Sequence, residues 1–264
     1  MLLVIDVGNS HTVVGVYDGE TLQEHWRLQT HPGRTADEYR VVLKDLFDLA
    51  GMDTAAVHAA ILASVVPPLS PVFDAVCRRT FSTAPLHVGP GIRTGMRIHY
   101  DNPREVGADR IVNAVAAFDA VGGAVVVVDF GTATTFDAVG EDGAYLGGAI
   151  APGVAISVDA LFHRAAKLPR VEVVRPDLVV GRDTAASIQS GTYYGYLGLV
   201  DGMVTRMRAE IRRGTGPEPA CIATGGLASL FSAESTTIER VDPLLTLRGL
   251  RLLHELNRAE GQPG

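Results

Sequence analysis

The segment Ile5-Asp6-Val7-Gly8-Asn9-Ser10-His11-Thr12 returns as Val128-Asp129-Phe130-Gly131-Thr132-Ala133-Thr134-Thr135, offset by 123 residues in a chain of 264. A repeat spaced by nearly half the length means that two copies of one supersecondary unit head two half-chains. Each copy follows an apolar run, Leu2 to Ile5 and Ala124 to Val128, and precedes a second extended segment, Thr12 to Tyr17 and Thr135 to Val139. The return segments stop at Asp18-Gly19 and Asp142-Gly143, and Asp-Gly between extended runs is a strong hairpin signal. Both halves are therefore expected to open as strand, turn, strand, turn.

Apolar positions at helical spacing predict a helix over 37–50, and Ala59 to Val66 reads as a strand stopped by Pro67-Pro68. Leu69 to Phe81 reads as a helix and Pro85 to Val88 as a short strand. Downstream of the second copy come a strand and loop over Gly147 to Gly153, a helix over Val154 to Arg164 and a longer one from Thr184 to about Arg213. A strand from Ala220 to Ala223 enters Thr224-Gly225-Gly226, and Arg248 to Asn257 closes the chain as a helix. Strands mixed with helices in both halves predict an α/β protein, divided into domains 1–118 and 119–264.

Composition narrows the function classes. With 47% hydrophobic and 20% charged residues the chain is not disordered, and no apolar run is longer than Ala124 to Val128, far short of the ~20 residues of a membrane span. Met1 to Ile5 runs straight into Asp6, unlike a secretory leader, so a soluble cytoplasmic protein is expected. Acidic residues outnumber basic ones 30 to 23, which argues against nucleic acid or an anionic membrane as partner. The densest basic stretch, Arg206, Arg208, Arg212 and Arg213, reads as a solvated helix face. Cys77 and Cys221, 144 positions apart with no neighbouring Cys or His pair, read as buried thiols. Lys44 and Lys167 are the only lysines, and neither lies in a P-loop pattern.

The chemistry lies in the repeated turns. Gly8 and Gly131 lack a β-carbon, which lets backbone N–H groups approach an anion, and Asn9, Ser10, Thr12, Thr132, Thr134 and Thr135 add neutral donors. Asp6 and Asp129 make sense there when a cation lies between carboxylate and phosphate. Two such loops facing each other are expected to clamp a nucleotide tail. A third constellation runs from Tyr100-Asp101-Asn102-Pro103 to Gly107-Ala108-Asp109-Arg110 and into Ile111, Val112, Val115 and Phe118. Asp109 there is either a helix N-cap or a general base for a substrate hydroxyl with Arg110 holding an acidic group.

These residues, with Gly147-Gly148 to Pro152-Gly153, Gly181 to Thr184, Ser187 to Gly191 and Thr224-Gly225-Gly226, resemble the type III pantothenate kinases in order, spacing and length. That family belongs to the superfamily of acetate and sugar kinases, heat-shock ATPases and actin. The resemblance implies ATP-dependent phosphorylation of pantothenate by a homodimer, with two ribonuclease-H-like domains in each chain. By the same resemblance Asp6, Val7, Gly8, Asn9, Ser10, His11, Thr12 and Val13 form the loop on the ATP phosphates, with Asp6 near magnesium and Thr132 as a second contact. Gly107, Ala108, Asp109 and Arg110 match the pantothenate segment, with Asp109 as proton acceptor, and Tyr100 and Thr184 match further substrate contacts. Asp129 matches the ligand of a potassium or ammonium ion. Ser10-His11 stands where many members have Thr followed by a small or polar residue, which leaves His11 read as a surface turn residue.

A sugar kinase would keep the repeated loops but not the 107–110 segment, and a regulatory protein on the same fold is the other rival class. The stretch from residue 184 to 213, apolar on most sides, predicts a dimer helix with Thr184 near the partner's substrate pocket.

Overall fold

The apolar run after Met1 forms β1 (Leu2–Val7), and it is buried on both faces because helices cover both sides of its sheet. The protein is described here by a computed structural model covering residues 1–258 except 166 and 213–215, so Arg213 lies outside the described residues. β1 runs antiparallel to β2 (His11–Asp18), from Leu2 opposite Tyr17 to Val7 opposite Thr12. β2 pairs antiparallel with β3 (Thr21–Gln29), an edge strand in which half-buried Leu22, Trp26 and Leu28 alternate with exposed residues.

α1 (Ala36–Leu49) starts at Thr35, whose hydroxyl accepts the Glu38 N–H while Glu38 accepts the Thr35 N–H at 2.7 Å, a capping box. β4 (Ala59–Ser64) and β5 (Pro85–His87), separated by α2 (Ser70–Phe81), extend the sheet in parallel on the far side of β1. The order is β3-β2-β1-β4-β5. Leu3, Ile5 and Val7 meet Tyr39, Leu43, Phe47, Phe73, Val76 and Cys77 in one core, each large side chain worth about 1.5–3 kcal/mol. α3 (Ala108–Val121) follows the segment that carries Asp109.

The second unit repeats this pattern. β6 (Val125–Phe130) runs antiparallel to β7 (Ala133–Val139), which pairs antiparallel with β8 (Tyr145–Pro152). α4 (Val154–Arg164) and α5 (Thr184–Ile211) precede β9 (Ala220–Gly225), which is parallel to β6, and α6 (Ala228–Ser232) precedes β10 (Arg240–Val241), parallel to β9. The order β8-β7-β6-β9-β10 matches the first sheet strand for strand. After the turn the copies slip by one residue: Val7 faces Thr12, whereas Phe130 faces Thr134. Thr12 therefore corresponds to Thr134 and not to Thr135, because the second turn is one residue shorter.

The domain boundary at 118/119 needs correction. One compact unit comprises Met1–Met96, Asp101–Ala116 and the chain from Leu245 onward; the other comprises Arg97–Tyr100 and Ala117–Leu244. The last helix, α7 (Leu245–Arg258), thus belongs with the first sheet. Its buried Leu245, Leu247, Leu250 and Leu253 cover the face of β1 opposite the α1 and α2 core, and a β-carbon on Gly15 would stand 3.0 Å from Leu247 Cδ1. Gly249 crosses α3 so closely that a β-carbon there would lie 2.2 Å from the Val112 carbonyl oxygen, and Thr246 Oγ1 donates to Asn113 Oδ1 at 2.7 Å.

Two smaller expectations resolve here. Both cysteines are buried and free, and burial pushes each thiol up to about 12. Arg208 is buried rather than solvated: it bonds Glu239 at 2.8 Å and the Thr237 carbonyl at 3.1 Å, while Arg206 and Arg212 stay exposed.

Candidate active site

The first loop joins β1 to β2. Asp6 is half-buried one residue before the end of β1, between Val13 on one side and Ala63 on the other. Val7 and Thr12 are buried, Gly8 and Val13 half-buried, and Asn9, Ser10 and His11 exposed. Gly8 is required by space, since its N–H donates to the His11 carbonyl at 3.0 Å and a β-carbon would stand 2.9 Å from that oxygen. The Gly8 amide thus closes the turn instead of facing an anion. The Thr12 hydroxyl, expected as a donor to an anion, is taken by Thr30 at 2.9 Å, and Thr30 donates to the Gly8 carbonyl at 2.8 Å. Thr30 was not legible as part of this loop; only its place just past the β3 alternation marks it. His11 begins β2 rather than lying in the turn, and the partial burial of its ring together with nearby Arg27 lowers its imidazole pKa.

The second loop holds Asp129 at the matching place, between Thr135 and Thr224. Gly131 N–H closes this turn on the Ala133 carbonyl at 3.0 Å. Two glycines absent from the sequence-based site fix its walls. A β-carbon on Gly153 would stand 2.1 Å from the Thr132 carbonyl oxygen, so the start of α4 presses directly on the loop. Gly225 has φ +90°, and a β-carbon there would lie 2.6 Å from Asp129 Oδ1. Thr132 is half-buried, and the Thr134 side chain is fully buried.

Gly107, not Asp109, takes the cap position of α3, its carbonyl accepting the N–H groups of Arg110 at 3.1 Å and Ile111 at 3.3 Å. Ala108 and Asp109 are the first two helical residues. The N-cap alternative for Asp109 is thereby corrected: its Oδ1 accepts the Arg110 N–H at 2.8 Å from inside the first turn. Burial raises the Asp109 carboxyl above its ordinary value, opposed by that N–H and by the Arg110 guanidinium. Arg110 itself is buried. The carboxyl is thus desolvated at a helix start, with the backbone N–H groups of Arg110 and of Asp109 itself partly offsetting the burial.

Tyr100 is half-buried against Tyr145, with ring centroids 6.5 Å apart. Thr184 is the exposed first residue of α5, after Asp183, which caps the helix through the Ala186 N–H at 2.8 Å. The first unit thus carries the Asp6 loop and the 107–110 segment, and the second carries Tyr100, Asp129, Thr132 and Thr184.

A duplicated mixed-sheet unit, with an Asp-x-Gly turn at the end of each central strand, fits a two-unit nucleotide-dependent phosphotransferase, the class that the comparisons establish. A profile of the family described as type III pantothenate kinase matches residues 2–206, and the chain belongs to that family. The type III pantothenate kinase of Anaeromyxobacter sp. (strain Fw109-5) is 58% identical over 98% of this chain and 100% of its own length. That of Geobacter sulfurreducens is 57% identical over the same shares. Among solved structures, one described as a Baf family transcriptional activator from Campylobacter jejuni has a TM-score of 0.61 at 18% identity, over 97% of this chain and 99% of that one. At that identity the likeness concerns the fold alone.

Proposed function

We infer that this chain transfers the terminal phosphoryl group of ATP to the primary alcohol of pantothenate, the first step of coenzyme A synthesis. The activity follows from family membership over nearly the whole chain; the roles of single residues are our assignment. The observation that carries it is the Asp109 carboxyl, desolvated inside the first turn of α3 and folded over Gly107. Asp109 accepts the alcohol proton as the new P–O bond forms, and Arg110 meets the pantothenate carboxylate, with Tyr100 and Thr184 as further substrate contacts. Asp6 to Val13 lie along the ATP phosphates, with Asn9, Ser10 and His11 at the surface, and Thr132 adds a second phosphate contact. Most of the acceleration then comes from alignment and charge neutralisation.

We read both units as ribonuclease-H-like, on the strength of the repeated three-strand antiparallel meander extended by two parallel strands. The donor set fits hard cations. Among the described residues no three His, Cys, Asp or Glu side chains gather as a metal cage. A single carboxylate at each loop, beside hydroxyls and carbonyls, is instead what a cation shared with phosphate oxygens uses. Asp6 would hold magnesium and Asp129 potassium or ammonium, ions that supply charge neutralisation of the phosphates when bound.

The working form is a homodimer built on α5. Gly191, Gly195 and Gly198 on that helix have nothing within 4 Å of where a β-carbon would be, although each glycine costs a helix about 1 kcal/mol against alanine. Close approach of a second copy gives those positions a purpose. The protein works in the cytoplasm, without nucleic acid or membrane; no described helix is long and apolar enough to cross a bilayer. Purified protein with ATP, magnesium and potassium, offered pantothenate, hexoses or acetate, should release ADP with pantothenate alone; ADP release with a hexose instead would overturn the reading.

A further inference from the structure

The stretch Arg97–Tyr100 belongs to the second unit without forming a strand of its own. Tyr145 holds it from three sides. The Tyr145 N–H donates to the Arg97 carbonyl and its carbonyl accepts the His99 N–H, both at 2.8 Å, while its ring packs against Tyr100. Arg97 also pairs with Asp142. The Tyr100 ring rests in turn on Gly147, whose φ is +116° and where a β-carbon would lie 3.7 Å from Tyr100 Cδ2 and Cε2.

Tyr145 is fully buried, and its hydroxyl donates to Asp137 Oδ1 at 2.7 Å. Asp137 is fully buried as well, and its Oδ2 accepts the Thr135 hydroxyl at 3.3 Å. The duplicated fold does not require an acid at this position. The first sheet has Gly15 at the corresponding place, facing Val4 as Asp137 faces Val127, and an acid in a sheet interior is costly unless hydrogen-bonded. Asp137 anchors the hydroxyl end of the Tyr145 ring on which Tyr100 leans.

We propose that Tyr145 and Asp137 are positioning residues for the acceptor substrate, acting through Tyr100. The proposal rests on the reading that Tyr100 touches pantothenate. Removing the hydroxyl in Tyr145→Phe keeps the ring and both backbone bonds but frees the ring to shift.

The test is steady-state kinetics on the full chain with each substrate varied. Tyr145→Phe should raise the KM for pantothenate roughly two- to tenfold, the range of one lost hydrogen bond, with the KM for ATP unchanged. Tyr100→Ala should raise the pantothenate KM at least as much, and the double variant should be no worse than Tyr100→Ala alone, since one residue acts through the other. If Tyr100→Ala leaves the pantothenate KM unchanged, the reading of Tyr100 fails. If Tyr100→Ala raises it while Tyr145→Phe does not, or the two effects simply multiply, the positioning role fails and the reading of Tyr100 stands. Should Tyr145→Phe prove too unstable with Asp137 a donor short, Tyr145→Phe with Asp137→Asn removes the acid and must show the same selective rise.

Discussion

A β-carbon on Gly107 would stand 2.6 Å from Oδ1 of Asp109, so the carboxylate occupies the space that a side chain at residue 107 would need. Gly107 does not have a positive φ, and alanine there meets no backbone strain; the obstacle is the carboxylate itself. Gly107→Ala should lower kcat about tenfold to a hundredfold by turning Asp109 away, while the weaker cap costs about 1 kcal/mol of stability. Gly107→Ser restores a good cap with the same clash. Recovered stability with low kcat in the serine variant ties Gly107 to the carboxylate; recovered turnover would reduce it to a cap.

Asp109→Asn keeps an acceptor for the Arg110 N–H but cannot take a proton, and kcat should fall by roughly 10²- to 10⁴-fold with ATP binding retained. The raised pKa sets the sign of the stability change. A carboxyl whose folded pKa lies above the unfolded value favours folding below the unfolded pKa, and that advantage is lost as pH rises through the folded pKa. At pH 7 Asp109 is therefore a burden on the fold, and Asp109→Asn should melt at or above wild type, the difference shrinking toward low pH. In the wild type the acid limb of kcat/KM should lie above the ordinary aspartate value of about 3.9. Near-normal turnover in Asp109→Asn would leave the catalytic assignment without its carrier.

Gly225 crowds Asp129 in the same steric way, its backbone lying against the carboxylate that we assign to a monovalent cation. Turnover should depend on potassium or ammonium and be much weaker in sodium alone. Asp129→Ala should abolish that response, and Gly225→Ala, if folded, should raise the potassium concentration for half-maximal activity several-fold. Equal turnover in sodium and potassium would remove the monovalent site from Asp129.

Much of this was legible because the repeat is a backbone requirement. Asp-Gly after an apolar strand closes a hairpin in both halves, and the predicted helix over Val154 to Arg164 coincides with α4. Strand β3 was overlooked although Leu22, Trp26 and Leu28 alternate with polar residues, because Glu24 breaks the apolar face and every position between is polar. The one-residue slip after the turn cannot be read from a fixed offset, and so Thr12 was matched to Thr135 instead of Thr134. The placement of α7 was out of reach for another reason: an apolar stripe states that a face will be covered, not which sheet will cover it. Tyr145 and Asp137 were hidden because their work depends on contacts with the 97–100 stretch, some 40 residues distant in the chain.

The oligomer is tested most directly on the open side of α5. Because nothing lies within 4 Å of a β-carbon at Gly195, Gly195→Leu should fit the isolated protomer and strengthen the helix by up to about 1 kcal/mol. If a second copy packs there, the same side chain wedges the helices apart. Light scattering should then fall from a dimer to a 27.9 kDa species, and pantothenate turnover should drop at least tenfold, because Thr184 at the start of α5 can no longer reach the partner's pocket. Gly195→Ala serves as the comparison, adding helix propensity with one methyl group and leaving the dimer largely intact. A Gly195→Leu protein that remains dimeric with full turnover would move the interface off this helix face, and a wild-type protein that is monomeric at micromolar concentration would remove it altogether.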